Sequence, residues 1–188
     1  QLVAHICEVQ RKIEKNGPFD SGFRVPHTTL HVGTIRGGTA LNIVPNECSF
    51  DFEIRHLPKH EIDLLIRDIE IFAKENLEPK MHLKSPDAGI DFTELFGYPA
   101  LFTAPNAPIV AFVRSLLDGE GEVEKISFGS EAGLFSRQIG IPAVVCGPGS
   151  ILQAHRPDEY VSLEQLKACD SMLRRLIESL KGKSVTAN

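Results

Sequence analysis

Apolar side chains recur along this chain in two different rhythms. Leu2, Ile6, Val9 and Ile13 fall at helical spacing, which predicts an amphipathic helix over 1–15. Asn16-Gly17-Pro18 ends it, because Gly accepts a left-handed cap and Pro cannot continue a helix. A polar stretch containing Gly and Pro runs on to Pro26. From His27 to Ile35 the alternation is loose, with Leu30 and Val32 on one face, which suits a half-buried strand. The paired glycines of Arg36-Gly37-Gly38-Thr39 mark a loop. Strict alternation follows. Cys48, Phe50, Phe52 and Ile54 share one face, and Ser49, Asp51, Glu53 and Arg55 the other, so 48–55 is the clearest strand. Leu57-Pro58 closes it. Ile62, Leu65, Ile66, Ile69 and Phe72 then predict an amphipathic helix within 59–75, and Met81 to Lys84 a further strand.

Beyond this point the pattern changes. Residues 86–107, rich in Pro, Gly and aromatic residues, read as a crossover. Helices are predicted over Pro108 to Leu117 and Glu131 to Gln138, the second stopped by Gly140. Val123 to Phe128 reads as a short strand. Pro142 to Cys146 is a continuous apolar run of the kind buried in a parallel sheet. Gly147-Pro148-Gly149 turns it into a loop that reaches His155. Ser162 is placed to cap a last helix with the stripe Leu166, Cys169, Leu173, Leu176 and Leu180. Residues 182–188 read as a frayed end. No internal repeat is evident.

The first part runs helix, strand, strand, helix, strand. One strand ahead of residue 1 would complete a split βαβ, ferredoxin-like unit. A helix that starts at residue 1 without an approach segment carries the same expectation, that the chain begins inside a domain. The overall class is α/β, divided near residue 99. Residues 1–98 form a small α+β domain lacking its first strand. Residues 99–188 form the closing portion of an α/β domain, whose few elements cannot cover both faces of a sheet alone.

Composition narrows the function. With 42% apolar residues, disorder through weak hydrophobicity is excluded. A formal charge of -5 without a basic stripe argues against nucleic acid, since phosphate contacts need clustered Lys and Arg. Runs such as Ile141 to Cys146 are too short to span a bilayer, and no signal peptide is visible, so no membrane partner is expected. Cys7, Cys48, Cys146 and Cys169 are widely spaced, without a Cys-x-x-Cys pair. That pattern fits buried thiols in a reducing cytoplasm better than a disulfide scaffold or a zinc knuckle.

Chemistry concentrates in the loop after the apolar run. Ligands of open α/β sheets gather beyond the C-terminal ends of strands, and a neutral imidazole such as that of His155 is a good zinc ligand. A lone loop histidine beside charges is more often a capping or solvated side chain than a metal ligand. Arg55, on the polar face of its strand, can grip a carboxylate with two parallel hydrogen bonds, or form an ordinary cross-strand salt bridge with Asp51 or Glu53. His27 and His31 share a strand face without a carboxylate ligand in register, His56 and His60 flank a strand–helix junction, and His5 and His82 are isolated; all read as solvated or capping side chains.

Several separated strings, taken in order, are similar to the aminoacylase/carboxypeptidase family of dinuclear-zinc hydrolases. Gly37-Gly38-Thr39-Ala40-Leu41-Asn42-Ile43-Val44-Pro45 and Phe50-Asp51-Phe52-Glu53-Ile54-Arg55 resemble the core of that family's lid, or dimerisation, domain. Phe128-Gly129-Ser130-Glu131-Ala132-Gly133 resembles its Thr/Ser-Asp/Glu-Ala turn, and Gly140-Ile141-Pro142-Ala143-Val144-Val145 its strand entry. Gly147-Pro148-Gly149-Ser150-Ile151 with Ala154-His155-Arg156-Pro157-Asp158-Glu159-Tyr160 resembles its C-terminal signature. Within the family, His27 to Ile35 and Gly147 to Ile151 look most like the branch that deacetylates N-acetyl-L-ornithine.

The resemblance implies a ferredoxin-like lid followed by the C-terminal part of a zinc-hydrolase catalytic domain. His155 would be a zinc ligand. Asn42 and Arg55 would approach the substrate's carboxylate end, Asn42 across a homodimer interface formed by the lid. Gly129 and Ser130 would lie near the substrate. Glu131 would hold its turn, and Glu159 would anchor its loop as a buried carboxylate. The substrate would be a small N-acyl amino acid. Two zinc ions per full-length subunit, with cobalt as a substitute, would activate the attacking water. The family's His-x-Asp pair, bridging Asp, Glu-Glu pair with the general base, and lid histidine have no match here. No catalytic residue is therefore expected in this chain, nor activity from it alone. Related alternatives are a succinyl-diaminopimelate desuccinylase, a peptidase, or a non-catalytic dimerisation module.

Overall fold

Helix α1 (Leu2–Asn16) buries Leu2, Ile6 and Ile13, three of the four residues of its predicted stripe, and Val9 packs beside them. They meet Leu30 of strand β1 (Thr29–Gly37), which pairs antiparallel with β2 (Cys48–Arg55). Phe50, Phe52 and Ile54 point toward this core with Val32, as alternation requires. A hydrogen bond from the Leu30 N–H to Gln10 Oε1, 2.6 Å, ties α1 to β1. The computed structural model describes residues 1–119, 123–154 and 156–181.

The ladder steps from Val32↔Phe52 to Thr34↔Asp51, leaving Gly33 unpaired as a bulge. The extra residue resets the side-chain alternation, so Thr34 and Arg36 lie on the outer face with Asp51. Thr34 Oγ1 donates to Asp51 Oδ2 at 2.5 Å, and Arg36 Nη1 does so at 3.2 Å. These two donors hold the Asp51 carboxyl below its usual range.

Helix α2 (Ile62–Phe72) brings Ile69 into the core, then widens into a π turn (Ala73–Leu77) and re-forms as α3 (Glu78–His82). The π turn lies just before Pro79, which has no N–H for the carbonyl four residues back. The strand expected over Met81 to Lys84 is thus absent. Its residues end a helix that starts with Pro in the first turn, and the Lys84 and Ser85 N–H groups both return to Met81 O at 2.9 Å.

The chain divides into two compact units, and residues 124–131 belong with 1–100 rather than with their neighbours in sequence. In the second unit, α4 (Pro108–Ser115), α5 (Ala132–Gln138) and α6 (Leu163–Lys181) supply the helices. Ser162 caps α6 as predicted, its Oγ accepting the Gln165 N–H at 3.2 Å. Arg175 joins α6 to the end of α4 by donating to Leu116 O at 2.7 Å and pairing with Asp118.

Two strands expected in the later sequence are not formed. Residues 123–128 contribute one parallel bridge, Lys125 to Phe23. Residues 142–146 form no ladder among the described residues, and Val145 is 56% exposed. A buried parallel strand needs paired neighbours and helices over both faces, and the described residues supply neither here. The run is held instead by Thr103 Oγ1 donating to Ala143 O at 2.5 Å. Cys7, Cys48 and Cys146 are exposed, so the expectation of buried thiols fails for them; Cys169 is half-buried on α6. The described residues make a mixed α/β chain of helices and one two-stranded antiparallel sheet. No described helix is long and apolar enough to cross a membrane. The fraying expected over 182–188 lies outside the described residues.

Candidate active site

Arg55 ends β2 on its polar face, opposite Thr29. Its Nε donates to Glu53 Oε1 at 3.0 Å and its Nη2 to Glu53 Oε2 at 3.4 Å, so the salt bridge expected with Glu53 forms, but within β2 and not across strands, because both residues belong to that strand. Nη1 points another way, to Ser127 O at 3.5 Å. This contact joins Arg55 to the segment 124–131 that carries Gly129 and Ser130. Ser127 Oγ reaches Val25 O at 3.5 Å. The ring of Tyr98 lies against Gly129 so closely that a Cβ there would sit 2.7 Å from the Tyr98 hydroxyl oxygen. Ser130 is half-buried and Glu131 exposed.

Lys125 fixes the same segment further back. Its Nζ lies 3.0 Å from Asp20 Oδ2 and 5.0 Å from the centre of the Phe23 ring. Asp20 also accepts the Gly22 N–H on Oδ1 at 2.9 Å, a side-chain-closed turn. The hydrogen bonds from Lys125 and Gly22 hold the Asp20 carboxyl below its ordinary value.

Beside this region, Thr28 is fully buried, and its hydroxyl oxygen accepts the Leu57 N–H at 3.1 Å. His60 Nδ1 lies 2.7 Å from the same oxygen. Burial pushes the His60 imidazole below its ordinary value, and nearby His56 adds to the effect. Neither His60 nor His5 is merely solvated. His5 stacks on Phe72 with ring centres 3.6 Å apart, and burial lowers it too.

The other candidates lie elsewhere. Asn42 is exposed in the loop between the two strands, at the Gly37↔Cys48 end of the ladder. Arg55 is at the opposite end, roughly 24 Å away along the strand at ~3.4 Å per residue. One copy of the chain does not bring the two together. Glu159 is exposed, not the buried carboxylate expected. His155, the expected zinc ligand, lies outside the described residues. Among the described residues no group of three or more His, Cys, Asp and Glu side chains could hold a metal ion. A zinc site takes three or four protein ligands, so these residues do not fit one.

Asp20, Phe23, Tyr98, Lys125 and the Thr28–His60 pair were missed from the sequence. Only the Asp20-Ser21-Gly22 string carried a local signal, that of an Asx turn.

Residues 2–81 match the family model of a peptidase dimerisation domain. An acetylornithine deacetylase from Myxococcus xanthus is 32% identical over 87% of this chain and 41% of its own length. One from Pasteurella multocida (strain Pm70) is 34% identical over 84% of this chain and 39% of its own. One from Buchnera aphidicola subsp. Acyrthosiphon pisum (strain Tuc7) is 31% identical over 82% and 38%. The chain therefore spans about two fifths of the length of the curated relatives it matches.

Proposed function

On the premise that this chain belongs to the M20 peptidase family, we propose that it is part of an amidohydrolase that cleaves N-acetyl-L-ornithine to L-ornithine and acetate, a step of arginine biosynthesis. The observation that carries this reading is Arg55. It is held from behind by Glu53 and turned toward the segment bearing Gly129 and Ser130. With Nε and one Nη2 N–H taken by Glu53, the Nη1/Nη2 edge is the planar pair of N–H donors that suits the carboxylate of an N-acyl amino acid. Gly129 and Ser130 line the same side of the substrate. Asn42 of the partner subunit completes the carboxylate end in a homodimer, which is how residues at opposite ends of one hairpin come to serve one substrate.

The general base and most metal ligands lie outside this chain in this reading. Two zinc ions per complete subunit, or cobalt in their place, are the proposed cofactor, with His155 as this chain's ligand. The proposed location is the cytoplasm, where widely spaced cysteines stay reduced. The match over 2–81 favours a second reading, a dimerisation module without catalysis.

Zinc content and turnover of the purified chain test the proposal. Near-zero zinc after dialysis against trace zinc, with no release of ornithine, is the expected result. Close to two zinc ions per chain, or robust turnover by the chain alone, would overturn the placing of the general base and most metal ligands outside it.

A further inference from the structure

We propose that Asp20 and Phe23 clasp Lys125 and thereby position segment 124–131, setting the Gly129-Ser130 turn beside Arg55; this rests on the reading of Arg55 and Ser130 as substrate contacts. Residues 124–131 carry no helix or ladder. Among the described residues their backbone bridge is Lys125 to Phe23, the same two residues whose side chains meet. Along the segment, Lys125 Nζ meets Asp20, the Ser127 carbonyl accepts from Arg55, and Tyr98 lies against Gly129.

The anchor is itself fixed. Asp20 donates its N–H to Pro26 O at 2.8 Å, its carbonyl accepts the Phe23 N–H at 3.1 Å, and Oδ1 accepts the Gly22 N–H. Gly22 leaves room for the ammonium: a Cβ there would lie 3.0 Å from both Asp20 Oδ1 and Lys125 Nζ. The Lys125 and Asp20 side chains are 31% and 30% exposed, so water screens the pair only in part. The face of Phe23 gives the ammonium a second attraction, electrostatic and from the ring quadrupole.

Asp20→Asn keeps the turn to Gly22 and removes the charge. Lys125→Met removes the ammonium, and Lys125→Arg keeps a cation. The first readout is amide exchange over 124–131, with 48–55 as the folding control. Asp20→Asn and Lys125→Met should each speed exchange over 124–131 about fivefold. The double variant should do no more than either single, and Lys125→Arg should stay within about twofold of the parent. Unchanged exchange in both singles, or additive effects, would overturn the clasp.

In the complete enzyme the two singles should raise KM about fivefold and leave kcat within about twofold, with Lys125→Arg restoring KM. Unmoved KM in an active enzyme would overturn the positioning role. If exchange responds as expected while the complete protein hydrolyses no N-acyl amino acid, the clasp stands and the reading of the site falls.

Discussion

Glu53 grips Arg55 from two residues back on the same face of β2, at 3.0 and 3.4 Å, and leaves Nη1 as the guanidinium edge that faces Ser127 O. The pair is half exposed, so its own contribution to stability is small. Its effect is on direction. Glu53→Gln should raise the KM of the complete enzyme for an N-acyl amino acid about threefold with little change in kcat, because Arg55 is then less well held. Steady-state kinetics check this, and an unchanged KM would mean that Arg55 is aimed without Glu53.

Thr28 is the fully buried polar side chain in the first unit, and its hydroxyl serves both Leu57 N–H and His60. Thr28→Val keeps the shape and leaves a buried N–H without its acceptor. A loss of about 1–3 kcal/mol is expected in urea unfolding. Thr28→Ser retains the hydroxyl and should cost less than Thr28→Val. The reverse order would show that the methyl group matters more than the hydrogen bond.

Acid should weaken the fold in a defined window. His60 and His5 both titrate below the ordinary 6.5 when folded, chiefly through burial. The unfolded chain therefore binds more protons as pH falls past that value. The stability linked to them is full above about pH 6.5 and is lost as pH falls through the folded values. The urea midpoint should be lower at pH 5 than at pH 7.5. His60→Gln should shrink that difference; a drop of the same size in the variant would assign the acid response to other groups.

Ile69 is completely buried in the core cluster that holds Leu2, Ile6 and Ile13 of α1 and Leu30 of β1. Ile69→Ala should cost about 2–5 kcal/mol, the lost transfer energy plus the cavity left behind. Denaturant unfolding measures it. A cost below about 1 kcal/mol would mean that the core around α2 collapses to fill the gap.

Much of the first unit was legible because its periodicities are long and clean. The alternation over Cys48 to Arg55 predicts β2 residue by residue, and the stripe from Leu2 to Ile13 predicts the buried face of α1. Where two effects competed, the pattern misled. Gly33 breaks the alternation of β1, since a bulge adds a residue that periodicity cannot anticipate. Met81 to Lys84 is too short to separate strand from helix end, and the helix signal lay in Pro79. The apolar run at 142–146 reads as buried, but burial depends on neighbouring strands that a sequence window does not contain.

The candidate site divides along the same line. Arg55 stood out because strand, face and charge agree at one position. Lys125 did not, since its partner Asp20 is 105 residues away and only the folded backbone brings the two together. Tyr98 sits in an irregular stretch with no periodicity, and its place against Gly129 follows from packing alone.

Hydrolysis of N-acetyl-L-ornithine by the complete polypeptide that carries this chain, compared with its Arg55→Lys variant, is the most direct measurement. Release of ornithine and acetate, with KM about tenfold higher in the variant because a lysine cannot grip a carboxylate with two parallel bonds, is the predicted result. No release above the rate in buffer, or a variant with the same KM as its parent, would contradict it.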